Sequence, residues 1–317
     1  MNYIGIDISK KTFDVAIPRH NGYAHHKFSN DHKGFKELLA LLNQNGDWCV
    51  MEASGPYYLK LASFLHEQGF NISVVNPLVI RRFCQMLMTR TKTDKKDALM
   101  IAEYGKSQHP QLWTNEEAHM LELKQMQAYL DQLNKSKGAL IRQEDAFNQN
   151  PCLSMFVKES MALMMAQIES QIKSIEKKMK SLINEHYKEQ FKLVTSVPGI
   201  GEKAGLFLIV LSRGFTKFDN AKQLSSYVGL SPRIFNSGTS IKGKPRICKM
   251  GMSRIRAILY VCTWSAIKCN KACKDLYQRL VEKGKSKRLA LIAVANKLLK
   301  QVFAVATKGE LYKEVAI

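Results

Sequence analysis

The sequence predicts an α/β N-terminal domain, a pair of long central helices and a mostly helical C-terminal domain. Residues 1–110 alternate short apolar runs with segments of helical periodicity. Residues 115–187 are densely charged, with apolar residues at every third or fourth position and no run typical of a strand. Residues 192–317 contain helical segments around a glycine-rich turn. Because each element must bury one apolar side, the first pattern favours a sheet covered by helices.

The N-terminal strands begin with a hairpin. Residues 3–8 and 12–17 are apolar runs joined by the polar segment Ser9-Lys10-Lys11, which predicts a tight turn between antiparallel strands. Further strands are expected at 25–29, 48–53 and 72–75, and helices near 35–42, near 57–68 and from residue 77. A meander followed by alternating strands and helices predicts a mixed sheet with helices on its faces.

Four acidic residues occupy unusual places in this part of the chain. Asp7 interrupts the first apolar run, Glu52 ends the run that starts at Trp48, and Asp94 and Asp97 fall in what reads as the first turn of a helix. A carboxylate in such a strand is costly to bury unless it is paired or bound to a metal. Carboxylates from two strands and a helix start that converge would be suitable ligands for Mg²⁺ or Mn²⁺. Two such ions serve phosphodiester chemistry.

Simpler explanations apply to some acidic residues. Asp94 and Asp97 taken alone fit a helix N-cap and its partner three residues later, since Asp is favoured at both positions. Asp14 lies in the second predicted strand without a motif around it, and Asp31 precedes a helix like an ordinary N-cap. Neither Asp14 nor Asp31 is therefore expected to bind a metal.

The charge of the chain indicates a polyanionic partner. Its 317 residues include 48 Lys and Arg against 27 Asp and Glu, which gives a formal net charge of +21. Nucleic acid is the commonest partner of so basic a protein, and an anionic membrane surface is the alternative. No apolar run approaches the roughly 18 residues of a membrane span, and no signal peptide is expected. The seven cysteines lack zinc-ligand spacing, which indicates reduced cytosolic thiols.

Two long helices with a heptad seam are predicted between residues 113 and 190. The first seam consists of Leu123, Met126, Leu130, Leu133, Leu140 and Phe147, and the second of Met161, Met165, Ile168, Ile172, Ile175, Met179 and Leu182. Lys137 and Glu144 interrupt the first seam. Such seams form coiled coils, either as a hairpin within one chain or as an arm for self-association. A homo-oligomer of two or four chains is compatible with the pattern.

The C-terminal domain contains two candidate DNA-binding features. Residues 197–201 are predicted to form a tight turn. Backbone N–H groups at Gly199, Gly201 and the start of the following helix can hold a phosphate. The alternative is that the turn only connects two helices. Residues 220–274 contain no Asp or Glu but eleven basic residues, which is a phosphate-binding signal. Within this stretch, the expected contacts are Arg233, Lys242, Lys244, Arg246 and Lys249. The apolar helix from 289 to 306 is expected to be core.

Motifs in both halves of the chain resemble the DEDD family of bacterial insertion-sequence transposases. They are Tyr3-Ile-Gly-Ile-Asp7, Met51-Glu-Ala-Ser-Gly55, Lys92-Thr-Asp-Lys-Lys-Asp-Ala98, Pro198-Gly-Ile-Gly201 and Gly229-Leu-Ser-Pro-Arg233, followed by Asn236-Ser-Gly238. Each motif is weak alone, but their order and spacing along essentially the whole chain make the resemblance specific.

The resemblance implies a RuvC-like nuclease domain of RNase H-like fold in residues 1–112, coiled-coil helices in 113–190 and a serine-bearing transposase domain in 191–317. It makes Asp7, Glu52, Asp94 and Asp97 the catalytic metal ligands, and Ser237 the nucleophile that becomes linked to the cleaved DNA. It also implies Mg²⁺ (or Mn²⁺) as cofactor and double-stranded DNA as donor and target. A structured guide RNA would pair with both DNAs.

The residues fit this chemistry on one condition. A serine hydroxyl is a poor nucleophile at neutral pH and needs a base or a metal, yet no acidic residue lies within 17 positions of Ser237. The acidic site of another domain or another protomer must therefore activate it. Taken alone, Ser237 is an ordinary serine in the polar turn 236–240. Thr239 and Ser240 are the alternative nucleophiles.

The sequence thus predicts an RNA-guided insertion-sequence transposase that works in the cytoplasm at the nucleoid. Three alternatives stay open. A junction-resolving endonuclease would need only the four acids and a water nucleophile. A site-specific DNA invertase would use the same chemistry as the transposase. An architectural nucleic-acid-binding protein with an inactive nuclease fold would form no product.

Overall fold

The chain separates into two units, Met1–Glu116 and Glu117–Ile317, in the computed structural model. The structure describes residues 1–88, 93–233, 236–237, 241–242, 246–248 and 251–314. The second unit unites the predicted coiled-coil helices and the C-terminal helices around one hydrophobic core. The predicted boundaries after residues 112 and 190 stay a prediction.

Five strands form one mixed sheet in the first unit. They are β1 (Asn2–Ile8), β2 (Thr12–Arg19), β3 (Gly22–Ser29), β4 (Asp47–Glu52) and β5 (Asn71–Val75), in the spatial order β3-β2-β1-β4-β5. The first three strands form an antiparallel meander, and β4 and β5 continue the sheet in parallel to β1. All five predicted strands are confirmed, and the arrangement is consistent with an RNase H-like domain.

Helices cover both faces of this sheet. They are α1 (His32–Leu39), α2 (Leu59–Glu67), α3 (Pro77–Met86) and α4 (Asp94–Gln108). Ile4 and Ile6 of β1 belong to the core that contains residues of α1 and α2, whereas Tyr3 belongs to the core with Ile101 of α4. Since side chains alternate along a strand, Gly5 and Asp7 lie on the same face as Tyr3. Asp7 therefore faces the side of the sheet that α4 covers.

Small residues bring α4 directly onto the sheet. A Cβ atom at Gly5 would lie 2.0 Å from the carbonyl oxygen of Ala98 and 2.4 Å from the backbone nitrogen of Ala102. Ala16, Ala98 and Ala102 are buried together at the same contact. Because the helix packs here against β1 and β2, its first turn lies near the end of β1 that carries Asp7.

Two long helices begin the second unit. α5 (Ala118–Asn148) and α6 (Met155–His186) pack against each other within one chain, which confirms the predicted helical pair. The Nζ atom of Lys137 lies 2.5 Å from Oε1 of Glu169. At the position where Lys137 interrupts the apolar seam, it forms an ion pair between the two helices. Use of these helices for self-association stays a prediction.

Six shorter helices and a small β-structure complete the second unit. The helices are α7 (Lys188–Thr195), α8 (Glu202–Ser212), α9 (Ala221–Val228), α10 (Ser253–Cys269), α11 (Lys271–Glu282) and α12 (Lys287–Lys308). Between α9 and α10, β6 (Pro232–Arg233) pairs with β9 (Arg246–Ile247), and β7 (Asn236–Ser237) pairs with β8 (Ile241–Lys242). We call the four strands β6–β9 the serine hairpin, because both pairings are antiparallel and Ser237 lies in β7.

The helix α12 is the core of the second unit. By length and composition it is the single helix in the described parts of the chain that is apolar enough to cross a membrane. Sequence analysis expected no such run. Val294, Leu298 and Val302 are fully buried, and α12 packs against α7, α9, α10 and α11. These contacts are those of the core helix predicted for residues 289–306.

Candidate functional site

Two of the four predicted acids lie side by side where neighbouring strands end. Ile6 of β1 pairs with Met51 of β4 in parallel register, so Asp7 and Glu52, each the next residue, are neighbours on one face of the sheet. Both side chains are half-buried. The hydroxyl of Ser54 donates a hydrogen bond of 3.2 Å to Oε1 of Glu52.

The other two acids begin the helix that covers this face. Thr93 is the N-cap of α4, and its side chain accepts a hydrogen bond from the backbone N–H of Lys96. Asp94 and Asp97 both lie in the first turn. The alternative that Asp94 is itself the N-cap is therefore wrong. Carboxylates at a helix N-terminus are stabilised by the helix dipole, which favours this position for an acidic site.

The negative charges of four nearby acidic residues act on the carboxyl group of Asp7. Its pKa is raised from 3.8 to about 6, first by burial and then by the negative charges of Asp97, Glu52, Asp94 and Asp14. Like charges disfavour the ionised form of a carboxyl group because each repels the next. The structure thus brings the four predicted acids into one negatively charged cluster.

Three further residues, Asp14, His25 and Lys27, extend this cluster. Asp14 of β2 lies directly opposite Asp7 in the antiparallel register, and Lys27 of β3 lies opposite Asp14. Asp14 is buried, with one oxygen 2.7 Å from Nε2 of His25 and the other 3.4 Å from Nζ of Lys27. The same Lys27 Nζ lies 3.8 Å from Oδ2 of Asp94. Lys27 is thus a cation shared by Asp14 and Asp94.

A signal for Asp14 was present in the sequence. A hairpin that turns at Ser9-Lys10-Lys11 pairs Ile8 with Phe13 and therefore Asp7 with Asp14. Asp14 has no motif around it, and only its pairing partner Asp7 marks it as part of the site. Asp31, by contrast, is confirmed as a helix cap, because its carboxylate accepts a hydrogen bond of 3.0 Å from the Gly34 N–H.

The chemistry of the acidic cluster fits a divalent metal. All its donors are carboxylate oxygens, which suit a hard cation such as Mg²⁺. Among the residues that the structure describes, no three His, Cys, Asp or Glu side chains are close enough to hold one ion together. The Asp94 side chain is 70% exposed, so it has room to rotate toward the others. Asp7, Glu52, Asp94 and Asp97 are the residues that could hold the ion.

The predicted nucleophile lies in the second unit. Ser237 is in β7 and pairs with Ile241, so the first two residues of the predicted turn 236–240 form a short strand. Residues 238–240, including Thr239 and Ser240, lie outside the described residues, as do Lys244 and Lys249. The backbones of Arg233, Lys242 and Arg246 lie in the same serine hairpin. Their contacts with nucleic acid stay predictions.

The glycine-rich turn has a packing role. Gly199 has a φ of +103°, and a Cβ atom there would lie 2.6 Å from Cβ of Ala266 in α10. A larger residue would force the turn away from α10. Gly201 is the N-cap of α8, and a Cβ atom there would meet nothing within 4 Å. Of the two glycines, only Gly201 has room for a side chain. Phosphate binding by Gly199 or Gly201 stays a prediction.

Comparisons with known proteins decide the family. A model described as a transposase, of the IS110 DEDD group, matches residues 4–147, and a model for the transposase IS116/IS110/IS902 family matches residues 191–278. The pilin gene-inverting protein of Moraxella bovis is 32% identical over 311 residues, which cover 96% of this chain and 95% of that protein. The chain belongs to the IS110 family of transposases.

A second relative supports the same assignment. The transposase for insertion sequence element IS1111A of Coxiella burnetii is 22% identical over 345 aligned residues, covering 98% of this chain and 91% of that protein. The protein is therefore a DNA transposase or recombinase, and its substrate is DNA. Transposases of the DEDD type typically depend on a divalent metal. The first family model covers the four acids, and the second covers Gly199, Gly201 and Ser237.

Proposed function

We propose that this transposase cuts and rejoins DNA with two cooperating parts, a divalent metal on the acidic cluster and the nucleophile Ser237. The observation that carries the proposal is the convergence of Glu52, Asp94 and Asp97 on Asp7, whose pKa is raised first by burial and then by these negative charges. A cluster of like charges at the ends of two neighbouring strands and the start of a helix is unfavourable for folding alone. A cation bound to the cluster would offset this repulsion.

The residues of the chain have distinct roles in this proposal. Mg²⁺, or Mn²⁺, when bound would polarise the scissile phosphate and neutralise charge that develops on it. Asp7 and Glu52 would hold the ion from the strand ends, and Asp94 and Asp97 from the helix start. The Oγ atom of Ser237 would form an ester with the phosphorus while the strand's own oxygen leaves as a hydroxyl. A hydroxyl of the new partner strand would then displace Oγ, which restores the phosphodiester and the serine.

The first test is recombination in cells. The gene is supplied with its flanking DNA, and new junctions are sequenced for wild type, Asp97→Ala and Ser237→Ala. We expect junctions in wild type and at least a hundredfold fewer in both variants, since loss of a nucleophile or its activation typically costs several orders of magnitude. Glu37→Gln, which removes an exposed carboxylate from α1, and Ser240→Ala are the matched controls.

The outcomes separate the alternatives. Junctions that persist in Ser237→Ala would remove the serine mechanism and favour a metal-dependent nuclease with water as nucleophile. Loss of junctions in Ser240→Ala together with normal junctions in Ser237→Ala would mean that Ser240, and not Ser237, is the nucleophile. DNA binding without any junctions, in wild type and both variants alike, would favour an architectural protein.

A DNA invertase is the second candidate. The relative of 32% identity over nearly the whole chain is a pilin gene-inverting protein. Inversion keeps the segment between two sites in one molecule, whereas transposition joins an element to new flanking DNA. The same junction sequences therefore distinguish the two, because inverted segments carry both reciprocal junctions at one locus.

Self-association is proposed through the long helices α5 and α6. If the acids of one protomer serve the serine of another, Asp7→Ala and Ser237→Ala subunits expressed together should recover part of the recombination that each lacks alone. No recovery in mixed oligomers would mean that the acids and the serine of each active site come from the same chain. The oligomer, a dimer or a tetramer, would be measured directly by light scattering.

RNA guidance is also proposed, together with a place at the nucleoid in the cytoplasm. The acid-free stretch of residues 220–274 supports a polyanionic partner. If base pairing with an RNA selects the DNA, the protein purified from its native host should carry one structured RNA from the flanking DNA. Recombination should then stop when that RNA is deleted, and protein without any bound RNA would contradict the guidance.

A further inference from the structure

A cleft of about 430 Å³ opens at the base of the serine hairpin. It is lined by Leu230, which precedes the hairpin, by Ile247 of β9, by Arg256, Ala257 and Tyr260 of α10, and by Arg288, Ile292 and Ala295 of α12. Ligand pockets in proteins have volumes of roughly 300–1,000 Å³. The cleft is therefore large enough for a small planar group, and one of its lining residues, Ile247, belongs to the same hairpin as the proposed nucleophile.

The walls of the cleft combine two chemistries. Leu230, Ile292 and Ala295 give an apolar surface, and Tyr260 adds an aromatic ring. Arg256 and Arg288 add two guanidinium groups, and none of the described lining residues is acidic. Apolar and aromatic walls bind the faces of a nucleobase, and guanidinium groups bind phosphate. The two chemistries together match a nucleotide.

The guanidinium of Arg256 is held in place by the end of α9. Its Nη1 donates a hydrogen bond of 3.0 Å to the carbonyl oxygen of Val228, at the end of α9. A guanidinium has five N–H donors, so one such bond leaves donors for a phosphate. Arg288 lies in the first turn of α12, after the N-cap Ser286. An anion near this helix start would also be stabilised by the helix dipole.

We propose that this cleft binds one unpaired nucleotide of the DNA strand that is cut at the serine hairpin. The base would lie in the apolar cleft against Tyr260, and the adjoining phosphate would contact Arg256 and Arg288. The proposal rests on the proposed function in one respect, since strand exchange must unpair bases beside the cut. Stacking on an aromatic side chain stabilises a bound base and so offsets much of the cost of unpairing it.

The test measures equilibrium binding of single strands in EDTA, so that no cleavage occurs and the result does not depend on Ser237 as nucleophile. Fluorescence anisotropy compares a ten-residue oligothymidylate with an abasic backbone of equal length and charge. We expect wild type to bind oligothymidylate about tenfold more tightly than the abasic strand, from one stacked base. Ala257→Leu fills the cleft from an exposed position and should reduce this ratio to about threefold or less.

Three further variants separate base binding from charge. Tyr260→Leu should lower the ratio like Ala257→Leu. Arg288→Met should weaken both strands about equally, by threefold or more, whereas Lys287→Met removes the same charge one residue outside the cleft and should have a smaller effect. An unchanged ratio in both Ala257→Leu and Tyr260→Leu would overturn the proposal. Preference of the cleft for oligouridylate over oligothymidylate would also overturn it, because the occupant would then be RNA.

Discussion

At the scale of single residues, the acidic cluster opposes the stability of its own unit. Asp7 has a pKa of about 6 in the folded state against 3.8 for the ordinary side chain. The folded protein therefore binds this proton more tightly than the unfolded protein does. As a result, the contribution of Asp7 to the free energy of unfolding falls as the pH rises from about 4 to about 6.

Asp7→Asn should therefore stabilise the metal-free protein at pH 7. We expect a gain on the order of 1 kcal/mol, after reducing the effect of the pKa shift because Asp7 is half-exposed. The gain should shrink as the pH falls toward 4. Urea unfolding in EDTA across this pH range measures it, and added Mg²⁺ should then raise the stability of wild type more than that of the variant. Asp31→Asn is the control, because hydrogen bonds from Gly34 and Ser29 lower the pKa of that carboxyl group.

Lys27 and Asp14 should change metal affinity in opposite directions. Lys27→Met removes a positive charge 3.8 Å from Asp94, which makes the cluster more negative and should strengthen Mn²⁺ binding by about threefold. Asp14→Asn removes a negative charge opposite Asp7 and should weaken binding by a similar factor. Isothermal titration calorimetry measures both, with Lys33→Met in α1 as the control. Weaker binding in both variants would instead mean that they only disturb the local structure.

At the scale of elements, the position of the acids depends on the contact between α4 and β1. Gly5 is the residue that permits it, because backbone atoms of Ala98 and Ala102 occupy the space of a side chain there. The first turn of α4, with Asp94 and Asp97, can approach Asp7 only while this contact holds. Gly5 is therefore needed for the close packing of α4 on β1, which the sequence alone does not reveal.

Gly5→Ala should damage both the stability of the first unit and its metal site. The new methyl group would meet backbone, so α4 must move, and overpacking of this kind costs about 1–3 kcal/mol. We expect lower stability in urea unfolding together with weaker Mn²⁺ binding. Gly46→Ala is the matched control, since its nearest neighbour atom is 3.6 Å away. Full metal affinity in Gly5→Ala would show that the helix contact does not position the acids.

Elements were predictable from the sequence where they depend on local patterns. Four of the five strands follow from apolar runs, and α5 and α6 follow from their heptad seams. Lys27 and the Lys137–Glu169 pair were not assigned, because each depends on a partner far along the chain. The strand at Ser237 was missed for another reason, since β7 and β8 have two residues each and no apolar alternation.

At the scale of the whole molecule, acidic and basic chemistry occupy different parts of the chain. The metal-binding candidates lie in residues 1–116, whereas residues 220–274 contain eleven basic and no acidic residues. A net charge of +21 predicts strong, salt-dependent binding to any DNA, because each neutralised phosphate releases counterions. The acid-free stretch should supply most of these contacts, since no carboxylate in it competes with the phosphates.

This distribution predicts which substitutions change the salt dependence of DNA binding. In EDTA, the logarithm of the binding constant should fall with the logarithm of salt concentration with a slope of about −5 to −9, as expected for roughly 6–10 phosphate contacts. Arg246→Met and Lys249→Met should each reduce the magnitude of the slope by about one. Lys36→Met removes an equal charge from the exposed side of α1, on the sheet face opposite the acids, and should leave the slope unchanged. An equal reduction in all three variants would mean that DNA is held by the overall charge of the protein and not by the acid-free stretch.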